Sequence, residues 1–253
     1  MNIKKLTFST IFILTCSTLL GCSKNANEPY SATSNESNNT SNAATNLTEM
    51  AKQVQLPQPD KSMSLDQYHV IDSGNTIMYS YYGLSKMPPD IDKLAELLSS
   101  DYRMTQDQFK KQDILKVLEP KIKENIAAHG SNRYFLWTMD DSANNIIDHY
   151  DFNRKVFPIK EKYWDGSNRY YWSDNTAYTM SFTGPDSTHA FKVEDEATAR
   201  RIEQMLTNYS RNAKLYVYVY AQDFDLNDKQ MKTVVTCFEL RDNKGNVLAK
   251  QSM

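Results

Sequence analysis

Residues 215–221 read LYVYVYA and alternate without a fault. Leu215, Val217, Val219 and Ala221 take one face of an extended chain, and Tyr216, Tyr218 and Tyr220 take the other. Side chains of a strand point alternately to its two faces, so the aliphatic set marks a core face. The tyrosines have two readings: packing beneath a helix with hydroxyls at the edge, or an aromatic surface for a partner. The chain closes with further strands over residues 231–241 and 247–250, joined by the turn Asp242-Asn243-Lys244-Gly245-Asn246. Upstream strands are expected at residues 133–139, 146–152, 169–172, 177–183 and 190–193. Two more short ones are expected within 68–82, around Asp72-Ser73-Gly74-Asn75.

Elsewhere the apolar period lengthens. Met87-Pro88-Pro89-Asp90 reads as a helix start with proline in the first turn. Ile91, Leu94, Leu97 and Leu98 follow as one buried face. Thr105 and Gln108 have the spacing of a capping box. Phe109, Leu115, Leu118, Ile122 and Ile126 then line one side of a second helix, which Pro120 should kink or split near Glu119 and Gly130 should end. Its other side carries Lys110, Lys111, Lys116, Lys121 and Lys123, balanced by nearby acids as a solvated face. Residues 194–209 read as a third helix, with Ala199, Ile202, Met205, Leu206 and Tyr209 as its stripe. The expected fold class is α+β, a mostly antiparallel sheet packed with about three helices.

The amino end has its own grammar. Lys4 and Lys5 precede an apolar run at residues 6–20, too short for a membrane span of about 20 residues but suited to a signal core. It ends in Leu19-Leu20-Gly21-Cys22. This resembles the lipobox of bacterial lipoproteins. The resemblance implies cleavage before Cys22, lipid on that cysteine, and anchoring to the cell membrane. With Ser23 next, it implies the outer membrane facing the periplasm. Several acyl chains hold a protein on a bilayer far better than one. Residues 1–21 are then signal, 22–60 a lipid-anchored tether and 61–253 a single globular domain. Asn, Ser and Thr dominate residues 24–49, a composition too polar to repay ordering. A flexible linker of about 40 residues has a root-mean-square reach of roughly 35 Å. Of the 3 cysteines, Cys237 alone would remain in the domain, a structural thiol on a buried strand.

Chemistry is sparsely marked. A formal charge of −2 gives no field to attract nucleic acid. The 4 histidines, His69, His129, His149 and His189, form no zinc spacing, and no cofactor fingerprint appears, so neither metal nor cofactor is expected. Asp223-Phe224-Asp225-Leu226-Asn227-Asp228 begins like a calcium loop. Asp228 stands where glycine is needed and Val234 where a bidentate acid is needed, so a turn is expected instead. Tyr163, Trp164, Tyr170 and Trp172 flank Asp165-Gly166-Ser167-Asn168 as an aromatic hairpin. They join Tyr216, Tyr218 and Tyr220 as candidate binding residues. An enzyme would need Asp140, Asp141, His149 or His189 to converge in the fold.

The stretches FKKQDILKVLEPKIKENIAA (residues 109–128) and HYDFNRKVFPI (149–159) are similar to a family of bacterial exported lipoproteins. That family implies no activity and no site residue. The expectation is a membrane-anchored envelope lipoprotein acting as a non-enzymatic binding or assembly module, with an envelope protein or glycan as partner. The alternatives are a hydrolase-like envelope enzyme and an inhibitory protein that blocks a partner through a sheet edge.

Overall fold

The long hairpin β7 (Ala213–Asp225) and β8 (Gln230–Asp242) is the spine of the structure. This computed structural model describes residues 56–164 and 169–253. The aliphatic face of β7 is fully buried, with Leu215, Val217, Val219 and Ala221 all in the main core. The turn after β8 is held by Asp242, whose carboxylate accepts from the amides of Lys244 and Asn246, while Gly245 adopts φ 88°.

Around this spine lie β1 (His69–Val70), β2 (Tyr134–Asp141), β4 (Tyr170–Trp172), β5 (Asn175–Thr183) and β9 (Val247–Ser252). The sheet runs β1-β2-β7-β8-β5-β4, and β9 also pairs with β8. β5 lies along residues 230–234 of β8 and β9 along residues 237–241, so two strands share one edge end to end. Four of the six pairings are antiparallel; β1–β2 and β5–β8 are parallel. A separate ribbon pairs β3 (Val156–Pro158) with β6 (Ala190–Lys192).

The class is α+β, as the periodicities predict, but the helices number six among the described residues rather than about three. They are α1 (Gly74–Ser85), α2 (Ile91–Leu98), α3 (Ser100–Met104), α4 (Gln108–His129), α5 (Ala143–Ile146) and α6 (Glu196–Leu206). Of the two strands expected within residues 68–82, the first is present as β1 and α1 replaces the second. Ser73 caps it by accepting from the Thr76 amide, and Ile77, Met78, Tyr81 and Leu84 form a helical stripe buried in the main core. Tertiary burial overrides the strand preference of its tyrosines and isoleucine. α5 likewise takes the start of the strand expected at 146–152, leaving isolated bridges at Ile147 and Asp151.

Caps explain two further differences. At α2, Asp90 is the cap and both prolines stand ahead of it. At α4, Asp107 rather than Thr105 is the cap, accepting from the Phe109 and Lys110 amides. Thr105 instead ends α3 and receives the Asp107 amide. The expected stripe faces the core over most of its length: Ile122 is fully buried and Leu118 and Ile126 pack against the main core, while Phe109 at the start of the helix is 84% exposed. Pro120 is absorbed within one continuous α4. Tyr209 lies beyond α6 and is exposed, while Ala199, Ile202 and Leu206 are buried as expected.

α1 and α4 touch through glycine. A Cβ on Gly83 would lie 2.6 Å from both the Gly130 Cα and the Ile126 carbonyl oxygen. One face of the sheet thus carries the helices and the main core. The other carries a small cluster of Tyr68, Tyr218 and Cys237, flanked by Met63, Leu65, Tyr134, Leu136 and Tyr216. Its cover is a strap, residues 57–68, with one short 3-10 turn at Leu65–Gln67.

Candidate functional site: a charged cleft beneath the strap

Register assembles the strap face. β8 places Cys237, Glu239 and Arg241 opposite in facing to buried Phe238 and Leu240. Tyr216 and Lys250 stand opposite Glu239 on its two neighbours, and Tyr218 and Ser252 stand opposite Cys237. Between this floor and the strap lies a cleft of about 650 Å³.

Glu239 is 4% exposed. A carboxylate so placed must be paired, and it is. Its Oε2 accepts from the Tyr218 hydroxyl at 3.2 Å and from Arg241 Nε at 3.1 Å and Nη2 at 2.5 Å. Its Oε1 meets Lys250 Nζ at 3.3 Å. The guanidinium lies 4.1 Å from the centroid of the Tyr216 ring, a cation–π contact. Burial pushes the Glu239 carboxyl up, but Arg241 and Lys250 together hold it below its ordinary value.

Burial, and then the Glu239 charge, push the Tyr218 phenol far up, so it remains a donor. Burial also raises the Cys237 thiol, against the pull of the Ser252 hydroxyl. A raised thiol is a poor nucleophile. The floor is therefore built to hold charge in place rather than to pass protons near neutrality. The strap is pinned above by the Tyr68 hydroxyl on Thr236 Oγ1 at 2.9 Å, and by the Asp60 amide donating to the Tyr134 hydroxyl at 2.7 Å.

The seven aromatic candidates divide between the two faces. Tyr216 and Tyr218 belong to the cleft region, Tyr216 under Arg241 and Tyr218 on the floor. Tyr220 is buried beside Tyr134 and Arg133. A strap, not a helix, covers this face. Tyr163, Trp164, Tyr170 and Trp172 belong to the helix-bearing face. Tyr163 is buried on a 3-10 turn with its hydroxyl on Met139 Sδ. Trp164 stacks on His189 with centroids 3.7 Å apart. Tyr170 stacks on Phe182 at 4.3 Å, and Trp172 packs against the main core. The turn Asp165 to Asn168 lies outside the described residues, as does Cys22.

The acid–base candidates stay apart. Asp140 faces Lys214, and Asp141 accepts from the Ser142 amide and Asn145. His149 pairs with Glu203 at an exposed site. A cleft of about 800 Å³ elsewhere on the molecule is lined by His189 and by none of the other three. Residues 223–225 end β7 and 226–229 form the turn, in which Asp225 accepts from the Asn227 and Asp228 amides, and Asp228 pairs with Arg169. Among the described residues no group of three side chains is placed to hold a metal ion, and no helix is long and apolar enough to cross a membrane.

Sequence reasoning missed Glu239, Arg241 and Lys250. A signal was present: Glu239 and Arg241 stand two residues apart, hence on one face, and alternate with apolar Phe238 and Leu240. No protein-family model, no curated protein and no solved structure matches this chain.

Proposed function

We propose that this protein is a lipid-anchored envelope lipoprotein whose domain is a non-enzymatic binding module, with the strap-side cleft as its ligand seat. The observation that carries the seat is the buried Glu239, locked by Tyr218, Arg241 and Lys250 at the base of an open cleft. Buried charge is costly and gains nothing for stability over an apolar replacement. A cleft that keeps three charged groups fixed at its base has the form of a recognition site, in which a few placed polar groups orient the ligand. The anchor rests on the basic start, the short apolar run and Cys22. The polar stretch after Cys22 then serves as the tether, and the expected address is the outer membrane on its periplasmic side.

Two measurements test the reading. Cys22→Ala should move the full-length protein from the membrane fraction to the soluble one; full retention in the membrane would refute the anchor. A photocrosslinking residue in place of Met63, which lines the cleft, should yield an envelope adduct that Lys250→Met diminishes. The same crosslinker at exposed Phe109 should not yield that adduct. An adduct at both positions, or one indifferent to Lys250→Met, would refute the seat.

A further inference from the structure

The cleft's ionisable side chains are segregated. On the floor, Glu239 is set against Arg241 and Lys250, an excess of one positive charge. On the strap, Lys61 is set against Asp60 and Asp66, an excess of one negative charge. The strap acids are already served nearby: Asp60 accepts from the Ser62 amide and hydroxyl, and Asp66 from the Ser64 hydroxyl. On the floor, donors are left over. Arg241 spends Nε and Nη2 on Glu239, and its Nη1 makes no hydrogen bond among the described residues. Lys250 makes its one described contact with the same carboxylate.

A planar guanidinium, held 4.1 Å over the Tyr216 ring, matches a planar carboxylate better than a point charge does. A single excess charge suits a singly charged group. The acidic rim disfavours a phosphate dianion and suits a ligand whose remainder is neutral or basic. Met63, Leu65 and Met253 offer apolar wall for side chains between the two ends. Resting on the cleft as ligand seat, we propose that its floor receives the C-terminal carboxylate of a peptide, bound by Arg241 and Lys250, with the peptide body running toward Asp60 and Asp66 of the strap.

The test is calorimetric titration of the full-length protein in detergent with acetyl-Ala-Ala as the free acid, its C-terminal amide, acetate and inorganic phosphate. The acid should bind about tenfold or more tighter than the amide, acetate or phosphate, the scale of one lost charged hydrogen bond. Lys250→Met and Arg241→Lys should each weaken the acid by a similar factor. Lys250 is half exposed on the outer strand β9, so its variant keeps the test valid if Arg241→Lys unfolds. Acid and amide binding alike, with both weakened by Lys250→Met, would overturn the carboxylate seat and leave the cleft as a binding site. Acetate binding as tightly as the peptide acid would overturn the peptide. Acid preference untouched by either variant would place the ligand elsewhere and overturn the seat itself. No binding at millimolar concentrations would overturn the carboxylate proposal, and the crosslinking experiment would still judge the cleft.

Discussion

Glu239 shows how one residue ties ionisation to stability. Its folded value lies below the ordinary 4.5 because Arg241 and Lys250 outweigh the cost of burial. A carboxyl lowered on folding contributes in full above its unfolded value, and the contribution is lost as pH falls through the folded value. Tyr218, Arg241, Lys250 and Cys237 all face it, and the raised Tyr218, Arg241 and Cys237 keep one protonation state across that window. Glu239→Gln should therefore reduce the urea midpoint most near neutral pH. The gap between the wild type and this variant should narrow as pH drops below that ordinary value. A gap that stays constant down to the acid limb would disprove the linkage.

At the level of elements, caps and glycines decide geometry that composition leaves open. The cap of α4 can be read in two frames from the same five residues, because Thr105 and Asp107 are both good capping types. The structure gives the cap to Asp107. Asp107→Ala should then cost about 1 kcal/mol, and Thr105→Ala clearly less, by chemical denaturation. Gly83→Ala should cost about 1–3 kcal/mol, since its Cβ would strike backbone of α4 rather than a yielding side chain. Strand β7 was legible because its period is unbroken and its face is buried along its length. α1 was not, because Tyr, Ile and Thr favour strands locally while the stripe Ile77, Met78, Tyr81 and Leu84 only acquires meaning against the sheet. In the candidate site, Tyr216 and Tyr218 were visible as a face. Their charged partners were not, because Glu239 and Arg241 on β8 meet Lys250 on β9 through register. The hairpin aromatics were misleading for the opposite reason: Tyr163, Trp164 and Tyr170 are drawn into or against the main core.

Across the whole molecule, stability is unevenly divided. The main core runs along one face of the β7–β8 spine and takes in α1, α5, α6 and the β3–β6 ribbon, whereas the strap rests on a cluster of three buried residues. Local opening follows buried apolar contact. Hydrogen exchange should find the amides of Met63 and Gln67 on the strap among the fastest hydrogen-bonded ones, and those of Val217 and Leu240 among the slowest. Equal protection of strap and spine would show that the two open as one unit. Strands far apart in sequence also meet here, β2 with β7 and β5 with β8. Such pairing is slow to form, since loop closure precedes its reward.

The strap has a mechanical consequence. Its fastenings come one after another along the chain: Pro57 receives the Gln222 side-chain amide, then the Asp60 amide reaches Tyr134, then the Tyr68 hydroxyl reaches Thr236. A load applied ahead of Leu56 would break them singly, as a seam unzips, while the rungs of β7 and β8 share a load together. Tension on the amino end would thus uncover the cleft well before it unravelled the sheet.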